Sequence, residues 1–412
     1  MICKTIFIFG AGSTATLNMP TSEHHKEILK EAAENGEELL EKLYKIIEKR
    51  FKNRDYNIND VYNLIDTALL LQTGLSVENA EIGYIDLLQA KQDYISFLFK
   101  KFMSVIKTTD DNVYQKYIDF YYELAKSELR DKMNCGIAVD DRKFFVSDYA
   151  IVNFNWDLYS LFPIIEANYK LNHENDRYFP YGRLPQFRIY TDFNYECATI
   201  LANNKPWYPF TEPAALIANS DKYDTTRRVV LTKAYFPHGL MNSFKCPKCA
   251  RHSLYLGNLH LKDLYEKLDY DSDKELYQCI NCSAKISATN FNVLVQSNFK
   301  TRNAFLEETR IKMLCELESA ERLVFIGYSL PEDDTDYRTF FKSLYKVKEV
   351  YVVLKDDVST DGFKKLCVNA DLIKYSENTQ NTIKRYLSVF KNVYVNTDGF
   401  PNASDAILKI AK

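Results

Sequence analysis

Residues 4–10, KTIFIFG, form an unbroken apolar run that stops at a glycine. A short run of this kind predicts a buried strand. The segment after it, AGSTATLNMPTSEHHKEILKEAAE, passes through a glycine-containing turn and then sets Ile28, Leu29 and Ala32 at helical spacing. Strand, turn and helix in that order are how a nucleotide-binding α/β unit begins. From about 36 to 135 apolar residues recur at intervals of three and four, in ELLEKLYKIIEKRFKN, VYNLIDTALLLQ, QDYISFLFKKFMSVI and VYQKYIDFYYELAKSEL. This period predicts an all-helical insertion or cap.

The stretch SDYAIVNFNWDLYSL, 147–161, returns to a β-like run that ends in polar residues. Residues 165–230 are rich in Tyr, Asn and Pro and carry no readable period. Further on, FLEETRIKMLCELESA predicts a helix leading into the strand RLVFIGYSL, and YRTFFKSLYKV a helix before the strand EVYVVLKDD. Alternating β-runs and helices predict the α/β class, with a doubly wound, Rossmann-like parallel sheet. The expected organisation is a first part of the core over 1–35 and a helical insertion over 36–135. The core continues with an irregular insertion over 136–239, a zinc-ribbon module covers 240–290, and 291–412 completes the core. Such sheets bind ligands at the carboxyl ends of their strands. The polar residues at those ends are Gly10–Thr14, Asn155–Asp157 and Gly327–Asp333.

Composition narrows the classes. With 412 residues, 46% of them hydrophobic and 26% charged, the chain has enough apolar material for two or three globular units. A net charge of −3 gives no electrostatic reason to expect direct nucleic-acid binding or an anionic membrane as partner. No apolar run reaches transmembrane length. The opening MICKTIFIFGAGS lacks the basic flank and cleavage site of a signal peptide, so it reads as a first strand. Nine cysteines in such a chain read as metal ligands or buried thiols of a cytoplasmic protein.

Four of those cysteines form two Cys-x-x-Cys pairs, Cys246 with Cys249 and Cys279 with Cys282. Two such pairs predict a closed tetrahedral zinc site that folds a module and does no chemistry. The 29 residues between the pairs (250–278) include an apparent helix, LHLKDLYEKL; His252 and His260 come into play only if a cysteine is out of reach.

The other candidates sit at strand ends. Gly10, Ala11, Gly12, Ser13 and Thr14 put two of only 12 glycines within three residues. Such a turn lets a phosphate approach backbone, or is simply a tight strand-to-helix turn. Asn155 and Asp157 lie two apart in extended chain and so share a side; an Asx turn is the plain structural alternative. Gly327, Tyr328, Ser329 and Asp333 offer hydroxyl and carboxylate groups for a ribose or phosphate, or form a capped helix start with Pro331. His238 and Gly239 stand just upstream of the first cysteine pair; a core or capping histidine is the plain alternative there.

Taken in order, these pieces resemble the sirtuin family. That family carries a Gly-Ala-Gly-x-Ser turn, an Asn-x-Asp at a later strand end and a His-Gly. A four-cysteine zinc ribbon and a Gly-x-Ser strand end follow. Here the counterparts are Gly10–Thr14, Asn155 and Asp157, His238 and Gly239, the four paired cysteines, and Gly327 with Ser329. The match covers roughly two thirds of the chain and omits 36–135. Two departures shift it away from the deacylases. Of their Gly-Ile-Pro-Asp-Phe-Arg only Pro20 is left, and Phe154 replaces the Gln before the Asn. The pattern is more similar to the sirtuin-like NAD hydrolases of bacterial antiphage defence. The resemblance implies NAD+ as substrate, cleaved to nicotinamide and ADP-ribose, with structural Zn2+. It implies catalysis by Asn155, His238 and Asp157, and dinucleotide contacts from Gly10–Thr14, Pro20, Gly327, Tyr328, Ser329 and Asp333. It further implies a homo-oligomer and a partner such as a hexameric DNA-translocating ATPase. A protein deacylase and a non-catalytic NAD or ADP-ribose binder are the alternatives.

Overall fold

The computed structural model describes residues 4–411 except 22–23, 36, 53, 55, 179–185, 199–205, 208–210, 221–226, 265–266, 271, 294–303, 333 and 367–371. Its centre is an eight-stranded sheet. In chain order the strands are β1 (Thr5–Phe9), β2 (Val146–Asn153), β3 (Gln186–Asp192), β4 (Arg227–Tyr235), β5 (Arg322–Ile326), β6 (Glu349–Val353), β7 (Lys364–Lys365) and β8 (Val393–Asn396). Across the sheet they run β7-β8-β6-β5-β1-β2-β4-β3, all parallel except β7 on β8.

The apolar runs follow from this. Every residue of β1 is buried, with Phe7 and Phe9 in one core cluster and Ile6 and Ile8 in the other. Successive side chains point to opposite faces, and both faces are covered, so neither can be polar. The chain leaves β1 toward β2 on one side and returns with β5 on the other. That reversal is a topological switch point, where such sheets open a crevice at their carboxyl edge.

Helices α1 (His25–Glu34), α2 (Glu38–Arg50), α3 (Ile58–Leu70), α4 (Tyr84–Thr108) and α5 (Asp111–Asn134) fill the β1-to-β2 crossover. The segment is not all-helical: Leu75–Val77 and Ala80–Ile82 pair as an antiparallel hairpin, each strand too short to show a period. Nor is it only a cap. Helix α5 lies on the sheet, with the Phe120 ring 6.2 Å from Phe7 and edge-on to it.

A second, five-stranded sheet joins Phe291–Val293, Gly239–Lys245, His252–Tyr255, Glu196–Ala198 and Pro206–Trp207. It therefore draws strands from the unreadable 165–230 stretch as well as from the cysteine region. Of the helix expected between the cysteine pairs, the described part is one turn, Leu261–Leu264. Among the described residues no helix is long and apolar enough to cross a membrane.

Candidate functional site

The carboxyl ends of β1, β2, β4 and β5 meet around the switch point. The turn after β1 interlocks with the turn after β5: the Gly12 amide donates to the Gly327 carbonyl at 2.8 Å, and the Gly10 amide to the Ile326 carbonyl at 3.0 Å. A β-carbon on Gly10 would lie 2.7 Å from the Tyr328 Cα, and Gly327 has φ +62°. These glycines serve loop-on-loop packing first. The Ser13 and Thr14 amides donate to the Gly10 and Ala11 carbonyls. The amides of Gly10, Gly12, Ser13 and Thr14 are thus committed inside the fold. This corrects the expectation of a backbone phosphate cradle built from the whole turn.

Asn155 follows β2. Its Nδ2 donates to the Gly10 carbonyl at 3.0 Å and to Ser13 Oγ at 3.1 Å, and its own amide donates to Asn153 Oδ1 at 2.8 Å. The side-chain NH2 therefore holds the glycine turn, and what Asn155 offers a ligand is Oδ1. Asp157 is 4% exposed. Its Oδ2 accepts from Thr14 Oγ1 at 3.1 Å, while Oδ1 is buried with no hydrogen-bond partner among the described residues. Burial raises its pKa to about 6, against the opposing pull of the Thr14 hydroxyl and of the nearby Tyr159 and Ser160 amides.

His238 stands in the turn after β4, 4% exposed, its ring 5.1 Å from Phe154 and 6.1 Å from Tyr337. Gly239 has φ +76°, and a β-carbon there would lie 2.6 Å from the Asn292 carbonyl oxygen. The strand Gly239–Lys245 then runs straight to Cys246. His238 thus sits at the joint between the two sheets, and the cysteine module anchors the strand that leaves it.

That module fits a tetrahedral metal. All four sulfurs lie within 4.8 Å of one another, with Cys246–Cys282 and Cys249–Cys279 at 3.5 Å. Disulfides need about 2.05 Å; a zinc–sulfur bond of about 2.3 Å in a tetrahedron separates sulfurs by roughly 3.8 Å. The two knuckles are built alike. The Cys246 amide donates to Arg251 O and the Ala250 amide to Cys246 O; the Cys279 amide donates to Ala284 O and the Ser283 amide to Cys279 O. Ala250 and Ser283 share positive φ of 59° and 55°. With four sulfurs in place, His252 and His260 are not needed as ligands.

Two adjoining cavities collect the motifs. The inner, about 90 Å3, is lined by Ala11, Thr14, Pro20, Asn155, Asp157 and His238, together with His25, Tyr62 and Trp156. The outer, about 560 Å3, is lined by Gly10, Ala11, Gly12, Asn155, His238, Gly327, Tyr328 and Ser329, with Asp334, Lys355 and Arg385. The outer volume lies within the roughly 300–1,000 Å3 of ordinary ligand pockets. Ser13 lies beneath, buried. The Tyr328 ring is buried and stacks on Phe154 at 4.9 Å. Asp333 falls outside the described residues; its neighbour Asp334 is buried and accepts from the Tyr328 hydroxyl. A larger cavity, about 1300 Å3, lies elsewhere, lined by Lys4, Arg142, Glu212, Lys233 and Glu316 among others. Its charges pair with one another, Arg142 with Glu212 at 2.9 Å and Lys233 with Glu316 at 3.6 Å. None of the motif residues reaches it.

Sequence reasoning passed over His25, Trp156, Asp334, Lys355 and Arg385. Only His25 and Trp156 carried a local signal. The first stands five residues after Pro20, and the second lies between Asn155 and Asp157.

No protein-family model matches this chain, and no curated protein does. Among solved structures it is similar to a Sir2 homologue in complex with NAD, at 9% identity and TM-score 0.39, over 99% of this chain and 90% of that one. It is likewise similar to a Sir2 enzyme solved for its mechanism and regulation, at 11% identity and TM-score 0.38, over 99% of this chain and 92% of that one.

Proposed function

We propose that the chain is an NAD+ hydrolase that cleaves the nicotinamide–ribose bond. One observation carries this reading: Asn155, Asp157 and His238, from two strand ends, line one small cavity that opens onto a nucleotide-sized groove at the switch point. The motif order read from the sequence points the same way. The setting in antiphage defence, the homo-oligomer and the ATPase partner rest on that motif resemblance alone.

The reaction takes NAD+ and water to nicotinamide, ADP-ribose and a proton. The bond from the ribose anomeric carbon to the pyridinium nitrogen breaks, and its electron pair leaves with nicotinamide. Positive charge then develops on the ribose, where the Asp157 carboxylate and Asn155 Oδ1 stabilise it. Water adds to the anomeric carbon and gives its proton to His238, whose imidazole acts as the general base. Asp157 Oδ1, buried and without a partner among the described residues, accepts from the carboxamide N–H of the leaving base. In the outer groove Ser329, Lys355 and Arg385 face the diphosphate, and Asp334 the adenosine ribose. The four cysteines hold Zn2+ that folds the module bearing Gly239–Lys245 and takes no part in the chemistry.

The test incubates the purified chain with NAD+ and follows nicotinamide and ADP-ribose by chromatography, with and without an acyl-lysine peptide. Nicotinamide released without peptide, and lost in His238→Ala, is the expected result. Release only with peptide would transfer the chain to the deacylases.

A further inference from the structure

His25 opens α1 and is 8% exposed. It lines the inner cavity beside Asn155, Asp157 and His238. Its position is fixed from three directions. Its carbonyl accepts from the Tyr94 hydroxyl of α4 at 2.9 Å, the Tyr62 ring of α3 lies edge-on at 6.5 Å, and the Trp156 ring lies 6.3 Å away. Its Nδ1 is buried and has no hydrogen-bond partner among the described residues. Buried ring nitrogens are ordinarily bonded, so an orphan in a cavity wall calls for an explanation.

Asp157, whose Oδ1 is a second orphan among the described residues, lines the same cavity. A carboxylate oxygen can only accept, whereas a neutral imidazole can present one N–H. Burial, with the neighbouring His24 adding to it, lowers the His25 pKa to about 4, which keeps the ring neutral at physiological pH. One acceptor and one donor in a pocket too small for a nucleotide match a primary carboxamide, which has an N–H to give and an oxygen to receive. A carboxylate in the same place would face Asp157 as a like charge.

Resting on the hydrolase reading, we infer that His25 recognises the leaving base: its Nδ1–H donates to the carboxamide oxygen of nicotinamide while Asp157 accepts the amide N–H. Helix α1 thereby supplies a specificity residue to the site. The substrate class becomes pyridine dinucleotides bearing a carboxamide, with the carboxylate analogue, nicotinic acid adenine dinucleotide, rejected.

The experiment titrates nicotinamide and ADP-ribose separately into the full chain by calorimetry, for the wild type, His25→Phe and His25→Asn. Phenylalanine keeps the aromatic packing and removes the nitrogen; asparagine places an amide near Nδ1. Nicotinamide binding should weaken about tenfold in His25→Phe, the size of one lost hydrogen bond. It should recover at least in part in His25→Asn, with ADP-ribose affinity within about twofold throughout. Unchanged nicotinamide binding in His25→Phe, or equal losses for both ligands, would overturn the assignment. A wild type that binds both ligands but releases no nicotinamide from NAD+ would defeat hydrolysis and leave the His25 assignment to stand or fall on the titration. A wild type that binds ADP-ribose and not nicotinamide would defeat the assignment alone.

Discussion

Strand β2 begins and ends on buried polar groups, and the two ends treat them differently. At its start Lys132 of α5 is enclosed by acceptors. Its Nζ donates to Asp148 Oδ2 at 3.0 Å and to the Lys143 carbonyl at 2.6 Å, and lies 3.5 Å from Glu128. The Asp148 amide in turn donates to Glu128 Oε1 at 2.9 Å. At its finish the account does not close: Asn153 Nδ2, Asp157 Oδ1 and His25 Nδ1 are buried without partners among the described residues. The first end behaves as structure. The second carries the cost of buried unpaired groups where the sheet opens its crevice, which is how a binding site differs from a core.

The comparison predicts opposite phenotypes. His238→Ala at the crevice should lower nicotinamide release by about 10³-fold, the middle of the range for a general base. Its thermal midpoint should stay within a few degrees of the wild type. A large drop in the midpoint, with activity per folded molecule intact, would make His238 a core histidine.

Lys132→Met at the other end should do the reverse. It leaves buried Glu128 beside half-buried Asp148 and should cost about 3 kcal/mol by denaturant unfolding, with turnover per folded molecule unchanged. The loss should shrink on acidification. Burial raises the Glu128 pKa to about 7 even against the pull of Lys132; without Lys132 it rises further, so on acidification the folded variant protonates Glu128 and the repulsion ends. A loss that is the same at pH 5 and pH 8 would remove the charge argument and leave only packing.

The two ends also differ in how they could be read from sequence. Strands β1, β2, β5 and β6 were legible because burial on both faces forces unbroken apolar runs, and the glycine, Asn and Asp residues that end them stood out by contrast. The proximity of the four cysteines followed from ligand spacing, even with a longer gap than usual between pairs. Strand β3 was not legible: QFRIYTD mixes polar and apolar positions at the sheet edge. His25 and Tyr62 escaped for another reason. Neither position shows, on its own helix, that it reaches the cavity; only the fold brings α1 and α3 to the wall that Asp157 also lines. Nothing in the sequence sets Lys132 apart from a surface lysine; the packing of α5 on the sheet buries it.

A gain in stability tests the comparison most directly. Burial lifts the Asp157 pKa to about 6 in the folded chain, against about 3.9 when unfolded. The folded state therefore holds the Asp157 proton more tightly. The stabilisation this gives is complete below about pH 4 and is lost as pH rises through about 6. At pH 7.5 the ionised carboxylate costs the fold about 3 kcal/mol. Asp157→Asn removes the charge, and its Oδ1 can still accept from Thr14 Oγ1. The variant should be more stable than the wild type by about 3 kcal/mol at pH 7.5 and close to it near pH 4, while releasing far less nicotinamide. Such a gain in stability with a loss of activity is the mark of a group kept for a ligand at the expense of the fold. Should Asp157→Asn be less stable at pH 7.5, the carboxylate would be a structural acceptor for Thr14, and the two ends of β2 would differ only in how well they are packed.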